Sequence, residues 1–188
     1  METFVYKKIL FEDLIKRINK TENNKYIEFI ELYIKNYLSK FKIDSVEKFV
    51  KTNESQLQFY KQFDLDCKIY FHYLIDKTIN KIVAIEKCID ISDRFFDIKY
   101  FKMLESEYER GSIIYAINLF VDEEYRGKSL CKKLLSKIQS NSKKHNKKYI
   151  ISEIHNENIA SIKCHESSGF KKTKFVSYPE TYFYIANL

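Results

Sequence analysis

The chain has 188 residues, of which 45% are hydrophobic, and it carries 15 Tyr and 15 Phe but only 3 Gly and 1 Pro. This composition excludes disorder and long flexible linkers, and it predicts one domain with a sizeable core. The formal net charge is +7, and no apolar run approaches the roughly 20 residues that a membrane span needs.

Most of the positive charge comes from Lys, because the chain contains only four Arg. Arg is the preferred residue for hydrogen bonds to base edges and for bidentate contacts with phosphate. No pair of predicted strands interleaves basic with aromatic residues, so a nucleic-acid partner is not expected. A Lys cluster at positions 143, 144, 147 and 148 is either a solvated helix end or an attraction for an anionic ligand.

The four Cys, at positions 67, 88, 131 and 164, show no C-x-x-C spacing. This distribution predicts reduced thiols in a cytoplasmic protein. The charged N-terminus lacks the apolar core and cleavage site of a signal peptide, so no membrane partner is expected. His155 and His165 are not at a metal-ligand spacing, and no metal site is predicted.

The first third of the chain is mostly helical by pattern. Residues 3–10 predict a short strand, and residues 11–20 predict a helix with one apolar side. Residues 26–41 repeat aromatic and aliphatic side chains at helical spacing over four turns, which favours packing on a sheet over a ligand wall or a dimer face. A capping-box pattern at 44–47 begins another helix, which residues 53–55 break or restart.

Strands follow in the middle of the chain. Residues 68–76 alternate apolar with other side chains, and with residues 81–89 they predict a β-hairpin. Residues 90–111 fit no single element, since 94–101 is compatible with both a helix and a strand. We interpret 90–111 as an insertion, and insertions of this kind often lie over a ligand site.

Residues 113–135 predict a strand, a short acidic loop and a helix. The apolar strand ends at Val121, and leucines at helical spacing follow in a helix from about 128 to 141. The first turn of a helix carries unpaired N–H groups and partial positive charge, which Arg126 and Lys128 would increase. Gly127 and Ser129 are small enough to admit a phosphate, so the unit predicts an anion site, although many such units bind nothing.

The last part of the chain predicts a further strand at 147–155 and a short helix at 157–167. Gly169 is a candidate left-handed cap that ends this helix. Two final strands, at 175–177 and 181–186, surround the lone Pro179.

Residues 121–135 resemble the acetyl-CoA signature of the GNAT superfamily of N-acetyltransferases. That signature is a strand ending in Val, an acidic turn, and Arg/Gln-x-x-Gly-x-Gly/Ala at the start of a helix. Ser129 stands where the family usually has Gly, and Cys131 where it has Gly or Ala. Six residues occupy the motif positions: Arg126, Gly127, Lys128, Ser129, Leu130 and Cys131.

Residues 154–170 resemble the later signature of the same superfamily, Asn-x-x-Ala-x-x-Leu-Tyr-Glu-x-x-Gly-Phe. The spacing is kept without a gap, and the two signatures occur in the family's order. The matching residues are Asn158, Glu166, Gly169 and Phe170, whereas Ser161 replaces Ala, Cys164 replaces Leu and His165 replaces Tyr.

The resemblance implies a single domain over 1–188 with a three-layer α/β/α fold around a mixed, mostly antiparallel sheet. Its helical region spans 22–63, and its insertion spans 90–111. The implied activity is transfer of an acetyl group from acetyl-CoA, as co-substrate, to a primary amine of a small molecule, peptide or protein. The implied cofactor-binding residues are a bulged strand end, Leu119, Phe120 and Val121, with residues 126–131, Asn158 and Ser161.

The resemblance also indicates catalytic residues. The family's Tyr at position 165 commonly protonates the departing thiolate, so His165 is either an acid, a base or a tolerated replacement. Glu153 is the candidate general base, acting through water, with a salt bridge as its alternative role. Glu86, Glu105 and Glu107 are weaker candidates for the base, and their alternative role is to attract a cationic substrate.

A second interpretation is a catalytically weak or inactive GNAT-like domain that binds acyl-CoA or a partner protein. The replacements at Ser129, Cys131 and His165 keep this alternative open. The resemblance also allows a homodimer, and the sequence does not identify the acceptor amine.

Overall fold

The computed structural model of the protein describes residues 3–20, 51–55, 58, 67–90, 102–104, 107–109 and 111–188. The predicted aromatic helix, the capping box and the ambiguous stretch 94–101 lie outside these residues. The break predicted at 53–55 is absent from the described stretch 51–55, which is helical. There Asn53 is buried and its side-chain oxygen accepts a hydrogen bond from Lys87 Nζ at 2.8 Å, so its amide does not compete with the helix backbone.

The described chain forms seven strands and three helices of at least nine residues. None of its helices is long and apolar enough to cross a membrane. Short 3₁₀ turns lie at Lys102–Leu104 and Glu123–Tyr125. The elements are β1 (Phe4–Leu10), α1 (Phe11–Lys20), β2 (Lys68–Asp76), β3 (Lys81–Asp90), β4 (Ile113–Val121), α2 (Leu130–Lys144), β5 (Tyr149–His155), α3 (Ile159–Ser167), β6 (Lys171–Tyr178) and β7 (Thr181–Asn187).

All seven strands belong to one sheet, in the order β1-β2-β3-β4-β5-β7-β6. Neighbouring strands are antiparallel except β4 and β5, which are parallel and connected through α2. A parallel pair needs such a crossover, because the chain must return to the end from which it started. The prediction of an α/β fold with a mixed, mostly antiparallel sheet is confirmed.

The sheet separates two hydrophobic cores, which makes the fold three-layered. On one face, Phe11 and Leu14 of α1 pack against the alternating apolar residues of β2. On the other face, Leu134 and Ile138 of α2 pack against the sheet. The period-2 pattern of β2 predicted this arrangement, since Ile69, Phe71, Tyr73 and Ile75 all lie in the first core.

Element boundaries agree with the sequence prediction within one residue in β1, α1, the hairpin and β7, and they differ more in α2 and β6. α2 begins at Leu130 and extends to Lys144, beyond the predicted end at 141. β6 is eight residues long, whereas the sequence predicted a strand only at 175–177. It is an edge strand that pairs only with β7 within the described sheet. Its first four residues are polar, so a search for apolar periodicity misses the beginning of the strand.

β4 and β5 pair only at their beginnings and then separate. Their ladder ends at the pair Ala116 and Ser152. Two residues further on, Asn118 has a φ of +62°, and the β3–β4 register shifts by one residue opposite Glu86. This is a β-bulge, which bends a strand and ends its pairing. The bulge expected from the family resemblance is therefore present, and it forks the sheet between β4 and β5.

Candidate functional site

The fork opens into a cleft of about 1000 Å³ that reaches the start of α2 and one side of α3. It brings together two regions of the chain that the sequence analysis predicted separately. Among the predicted cofactor-binding and catalytic residues, only Lys128 does not line the cleft. The predicted site residues that line it are Leu119, Phe120, Val121, Arg126, Gly127, Ser129, Leu130, Cys131, Glu153, Asn158, Ser161 and His165.

The start of α2 has the geometry of an anion site. Gly127 and Ser129 both have left-handed backbones, with φ values of +77° and +57°. This conformation turns the chain sharply from the loop into the helix. Within the described residues, the Ser129 side chain makes no capping hydrogen bond, although it is the N-cap residue. The first-turn N–H groups of a 15-residue helix therefore face the cleft without a capping side chain.

The acidic loop before α2 shapes the turn through its own contacts. Asp122 accepts a hydrogen bond from the Glu124 backbone N–H at 3.1 Å and forms an ion pair with Lys81 at 3.0 Å. The Tyr125 hydroxyl donates to Asp76 Oδ2 at 3.0 Å and ties the loop to the end of β2. The Lys128 ammonium lies 4.4 Å from the centre of the Tyr125 ring, a cation–π contact that holds this side chain on the acidic loop.

His165 is buried at the cleft, with only 3% of its surface exposed. Its Nδ1–H donates to the Ser161 carbonyl oxygen at 2.8 Å, and its ring packs edge-on against Phe170 with centroids 4.9 Å apart. Burial lowers the pKa of the imidazole below its ordinary value of 6.5. The resting side chain is therefore neutral, with the proton on Nδ1 and an unprotonated Nε2. This state accepts a proton rather than donating one.

α3 holds His165 in place through its first turn. Asn158 is the N-cap of the helix, and its side-chain oxygen accepts a hydrogen bond from the Ser161 N–H at 3.2 Å. Ser161 in turn supplies the carbonyl that fixes the imidazole tautomer. The three residues form one hydrogen-bonded series from the start of the helix to His165.

Glu153 lies on the opposite face of the sheet from His165. It shares a face of β5 with Ile151, which belongs to the core beside α1, whereas Ile150 and Ile154 belong to the core beside α2. The Tyr115 hydroxyl donates a hydrogen bond to Glu153 Oε1 across the fork. Sequence reasoning missed Tyr115, because a single hydroxyl in an apolar strand gives no signal until its partner is known.

The two weaker acidic candidates among the described residues, Glu86 and Glu107, are not arranged to attract a cation into the cleft. Glu86 lines the cleft but is 1% exposed, and no described residue hydrogen-bonds its Oε2 atom. Burial raises its pKa well above 4.5, which favours the neutral acid. Glu107 lies away from the cleft lining and pairs with Lys174 at 2.6 Å. Glu105 lies outside the described residues.

The expectation of four reduced thiols is wrong for two of them. Cys131 of α2 and Cys164 of α3 form a disulfide, with Cα atoms 6.3 Å apart. Cys67 and Cys88 are free thiols and are buried. No spacing pattern indicated the bridge, because its two cysteines are 33 residues apart and approach only when the two helices pack. The cytoplasmic location stays a prediction.

The Lys cluster is not part of the cleft. Lys147 pairs with Asp90 at 2.6 Å, and Lys148 pairs with Glu109. Lys143 and Lys144 lie in the last turn of α2. A helix of 15 residues is about 22 Å long, so these cations are far from Gly127. Their arrangement favours the solvated helix end over attraction of a ligand to the cleft.

The sequence model of the acetyltransferase (GNAT) family matches residues 29–170. This match covers both signatures and the strands around the cleft, and it spans most of the chain. The protein belongs to the GNAT acetyltransferase family, and this membership places it among the acyltransferases. No curated protein matches its sequence significantly.

Solved structures with the same fold share little sequence identity with this chain. A GNAT-family acetyltransferase from Staphylococcus aureus is 19% identical, with a TM-score of 0.57 over 98% of this chain and 99% of that one. The PaiA N-acetyltransferase of Thermoplasma acidophilum, solved with coenzyme A, is 14% identical, with a TM-score of 0.59 over the full length of both chains. YncA from Salmonella typhimurium, solved with acetyl-CoA, is 16% identical, with a TM-score of 0.58 over 100% of this chain and 95% of that one.

Proposed function

We propose that the protein is an N-acetyltransferase that uses acetyl-CoA to acetylate a primary amine of a small molecule, a peptide or a protein. The observation that carries this proposal is the arrangement around the fork. Glu153 reaches it from one face of the sheet and His165 from the other, with the anion-binding geometry of α2 at its edge. Because the fork is open on both faces of the sheet, the acceptor and the acyl donor can enter the cleft from different sides.

The residues of the cleft fit acetyl-CoA. The N–H groups at the start of α2, with Arg126 nearby, suit a pyrophosphate, and the small side chains at Gly127 and Ser129 leave room for it. Beyond Ala116 the backbone of β4 is no longer paired with β5, so residues 119–121 offer peptide groups to the amides of a pantetheine arm. Acetyl-CoA supplies the acetyl group as a thioester, which an amine can attack.

Two protons must leave an ammonium that becomes an amide. The Glu153 carboxylate takes the first and makes the amine nucleophilic, while the Tyr115 hydroxyl orients that carboxylate. His165 is neutral, so its Nε2 takes the second proton as the C–N bond forms and returns it to the departing sulfur. His165 thus serves as base and then as acid, whereas a Tyr at this position would begin as the acid.

We also propose that residues 1–188 form a single domain, that the protein is cytoplasmic and that it assembles as a homodimer. The insertion at 90–111 is proposed to contribute to the acceptor pocket. Within its described part, Leu104 is fully buried in the core beside α1, and the Tyr108 ring packs on Tyr149 at 5.1 Å. These contacts anchor the insertion on the sheet face that carries Glu153.

The test is calorimetric titration with acetyl-CoA and with CoA, followed by a screen of primary amines for release of CoA thiol. We expect micromolar binding of both ligands and amine-dependent thiol release. Glu153→Gln is the matched control, since it should bind acetyl-CoA normally and release little thiol. No binding of either ligand at millimolar concentration would contradict the proposal. Binding without release for any amine would favour the acyl-CoA-binding interpretation.

A further inference from the structure

Two buried polar side chains of the cleft are unpaired within the described part of the chain. Glu86 is 1% exposed and Ser152 is 3% exposed, and both line the cleft. Neither Glu86 Oε2 nor Ser152 Oγ has a hydrogen-bond partner among the described residues. A buried polar group that is left unpaired destabilises the fold, so native proteins retain few of them. Two such groups in one cleft indicate that a ligand completes their hydrogen bonds.

Both side chains lie at the closed end of the fork, on the face of the sheet that α2 covers. Ser152 shares this face with Ile150, and Glu86 shares it with Cys88, two residues further along β3. Ala116 and Ser152 form the last pair of the β4–β5 ladder, so Ser152 lies where the strands separate. Glu86 lies on the other side of β4, opposite the bulge. The small side chain of Ala116, which also lines the cleft, lies between the two strands that carry them.

The proposed cofactor placement brings the thioester to this end of the fork, and the inference rests on that proposed function. The start of α2 follows the end of β4, so an arm that leaves the pyrophosphate there runs past residues 119–121 towards the beginning of β4. A strand rises about 3.4 Å per residue, so Val121 and Ala116 are about 17 Å apart. An extended pantetheine arm has a similar length. The acetyl group is therefore delivered to the level of Ala116.

We infer that Glu86 and Ser152 donate hydrogen bonds to the carbonyl oxygen of the acetyl thioester. The methyl of an acetyl group cannot form a hydrogen bond, whereas its carbonyl oxygen has two lone pairs and can accept from both donors. When the amine forms the C–N bond, the π electron pair moves onto this oxygen, and it returns when the C–S bond breaks. Both residues keep their protons throughout and stabilise the negative charge that develops on the oxygen.

The burial of Glu86 suits it to this role and not to that of a base. Burial raises the pKa of its carboxyl group well above 4.5, so the group is a neutral acid near neutral pH. A neutral acid has an O–H that can donate, whereas a carboxylate would repel the developing oxyanion. Glu86 and Glu153 thus have different roles, since the proton-accepting step needs a carboxylate.

The experiment compares acetyl-CoA with S-ethyl-CoA, a thioether that has two hydrogens in place of the carbonyl oxygen. Calorimetric titration of the wild type should show about tenfold tighter binding of acetyl-CoA. Ser152→Ala should reduce this preference to about threefold and leave the affinity for S-ethyl-CoA unchanged. Glu86→Leu should reduce it in the same way, whereas Glu86→Gln should retain it, because an amide N–H also donates.

Turnover and stability separate this role from a structural one. Ser152→Ala should lower kcat by about 10²-fold, because a lost oxyanion donor acts mainly in the transition state. Its resistance to urea should not fall, since the variant removes a hydroxyl that is unpaired among the described residues. A loss of stability together with an unchanged kcat would overturn the inference.

The same titrations distinguish failure of this inference from failure of the proposed function. Equal affinities of the wild type for acetyl-CoA and S-ethyl-CoA would show that water, and not the carbonyl oxygen, pairs with these side chains. That result removes the inference and leaves the cofactor site standing. Binding of neither ligand at millimolar concentration would remove both. An equal loss of preference in Glu86→Gln and Glu86→Leu would overturn the assignment of Glu86 as a donor.

Discussion

His165 shows how the role of one side chain depends on its burial. Its position corresponds to the family's Tyr, yet a buried imidazole with Nδ1–H donated to a carbonyl is a neutral base. The lowered pKa has a clear cause, because burial penalises the charged imidazolium more than the single backbone hydrogen bond stabilises it. The acid role indicated by the resemblance therefore requires His165 to take a proton first.

His165→Phe should lower kcat by roughly 10²-fold and leave the affinity for acetyl-CoA nearly unchanged. Phe has a similar ring and keeps the edge-on packing on Phe170, so the fold should persist. Steady-state kinetics with one acceptor amine, together with calorimetry, separates the two effects. Unchanged turnover in this variant would show that His165 is a tolerated replacement.

The pH profile gives an independent test of the same residue. Because the pKa of His165 is lowered from 6.5, the active neutral form should persist below neutral pH, and kcat/KM should fall only in more acidic solution. The His165→Phe variant should lack this acidic limb. A wild-type kcat/KM that does not fall in acidic solution would contradict the neutral-base assignment.

At the scale of elements, the start of α2 depends on a backbone that most side chains avoid. Gly127 has a φ of +77°, and a Cβ atom there would meet no atom within 4 Å and would project into the open cleft. Gly169, which ends α3, has a φ of +87° and equally open surroundings, but it does not line the cleft. All three glycines of the chain have a positive φ, and Gly127 and Gly169 form a matched pair with different relations to the site.

Gly127→Ala should weaken acetyl-CoA binding by about tenfold, because its methyl group takes space from the pyrophosphate and strains the turn. Gly169→Ala should lose a similar stability, about 1 kcal/mol, and keep its affinity. Calorimetric titration and chemical denaturation of both variants provide the comparison. Equal affinities in the two variants would mean that the anion site is misplaced.

At the scale of the whole molecule, the centre of the sheet holds three buried titratable residues on adjacent strands. His72 of β2 lies beside Glu86 of β3, and Lys87 follows Glu86 on the other face. Burial lowers the pKa of Lys87 to about 7 and that of His72 to about 3. The Tyr6 hydroxyl and His72 Nδ1 share a hydrogen bond of 2.5 Å. The global stability of the protein is therefore coupled to pH through its core.

The contribution of His72 to the free energy of unfolding should fall as the solution is acidified, whereas the raised pKa of Glu86 acts in the opposite direction. The folded pKa of His72 lies below its ordinary value of 6.5, so the unfolded chain binds the proton first as the pH falls. Between about pH 6.5 and pH 5, His72 should account for a loss of about 2 kcal/mol. His72→Phe should remove this part of the slope, as measured by urea denaturation at both pH values.

Tyr6→Phe is the matched control for this prediction. It removes the hydrogen bond to Nδ1 but keeps the imidazole buried, and burial is the first cause of the lowered pKa. This variant should have a lower free energy of unfolding at both pH values and should retain most of the dependence of that free energy on pH. Equal pH dependence of the free energy of unfolding in the wild type and in His72→Phe would show that His72 is protonated in the folded protein.

Much of the fold follows from local periodicity and was predictable for that reason. The alternation of β2, the apolar side of α1 and the small residues before α2 depend only on neighbours in the chain. The order of two spaced signatures sufficed to indicate the family and the cleft residues Gly127, Asn158 and His165. The role of each residue in the cleft stays a prediction until binding and kinetics are measured.

Features that depend on which distant segments meet were decided by the tertiary structure. The disulfide forms because α2 and α3 pack side by side, and the Tyr115–Glu153 hydrogen bond forms because β4 and β5 are parallel neighbours. The tautomer and lowered pKa of His165 follow from its burial at the cleft. The pattern of apolar residues indicates which side of a segment is buried, but it does not indicate which other segment packs against that side. The contacts between distant segments in the cleft therefore become known only from the folded chain.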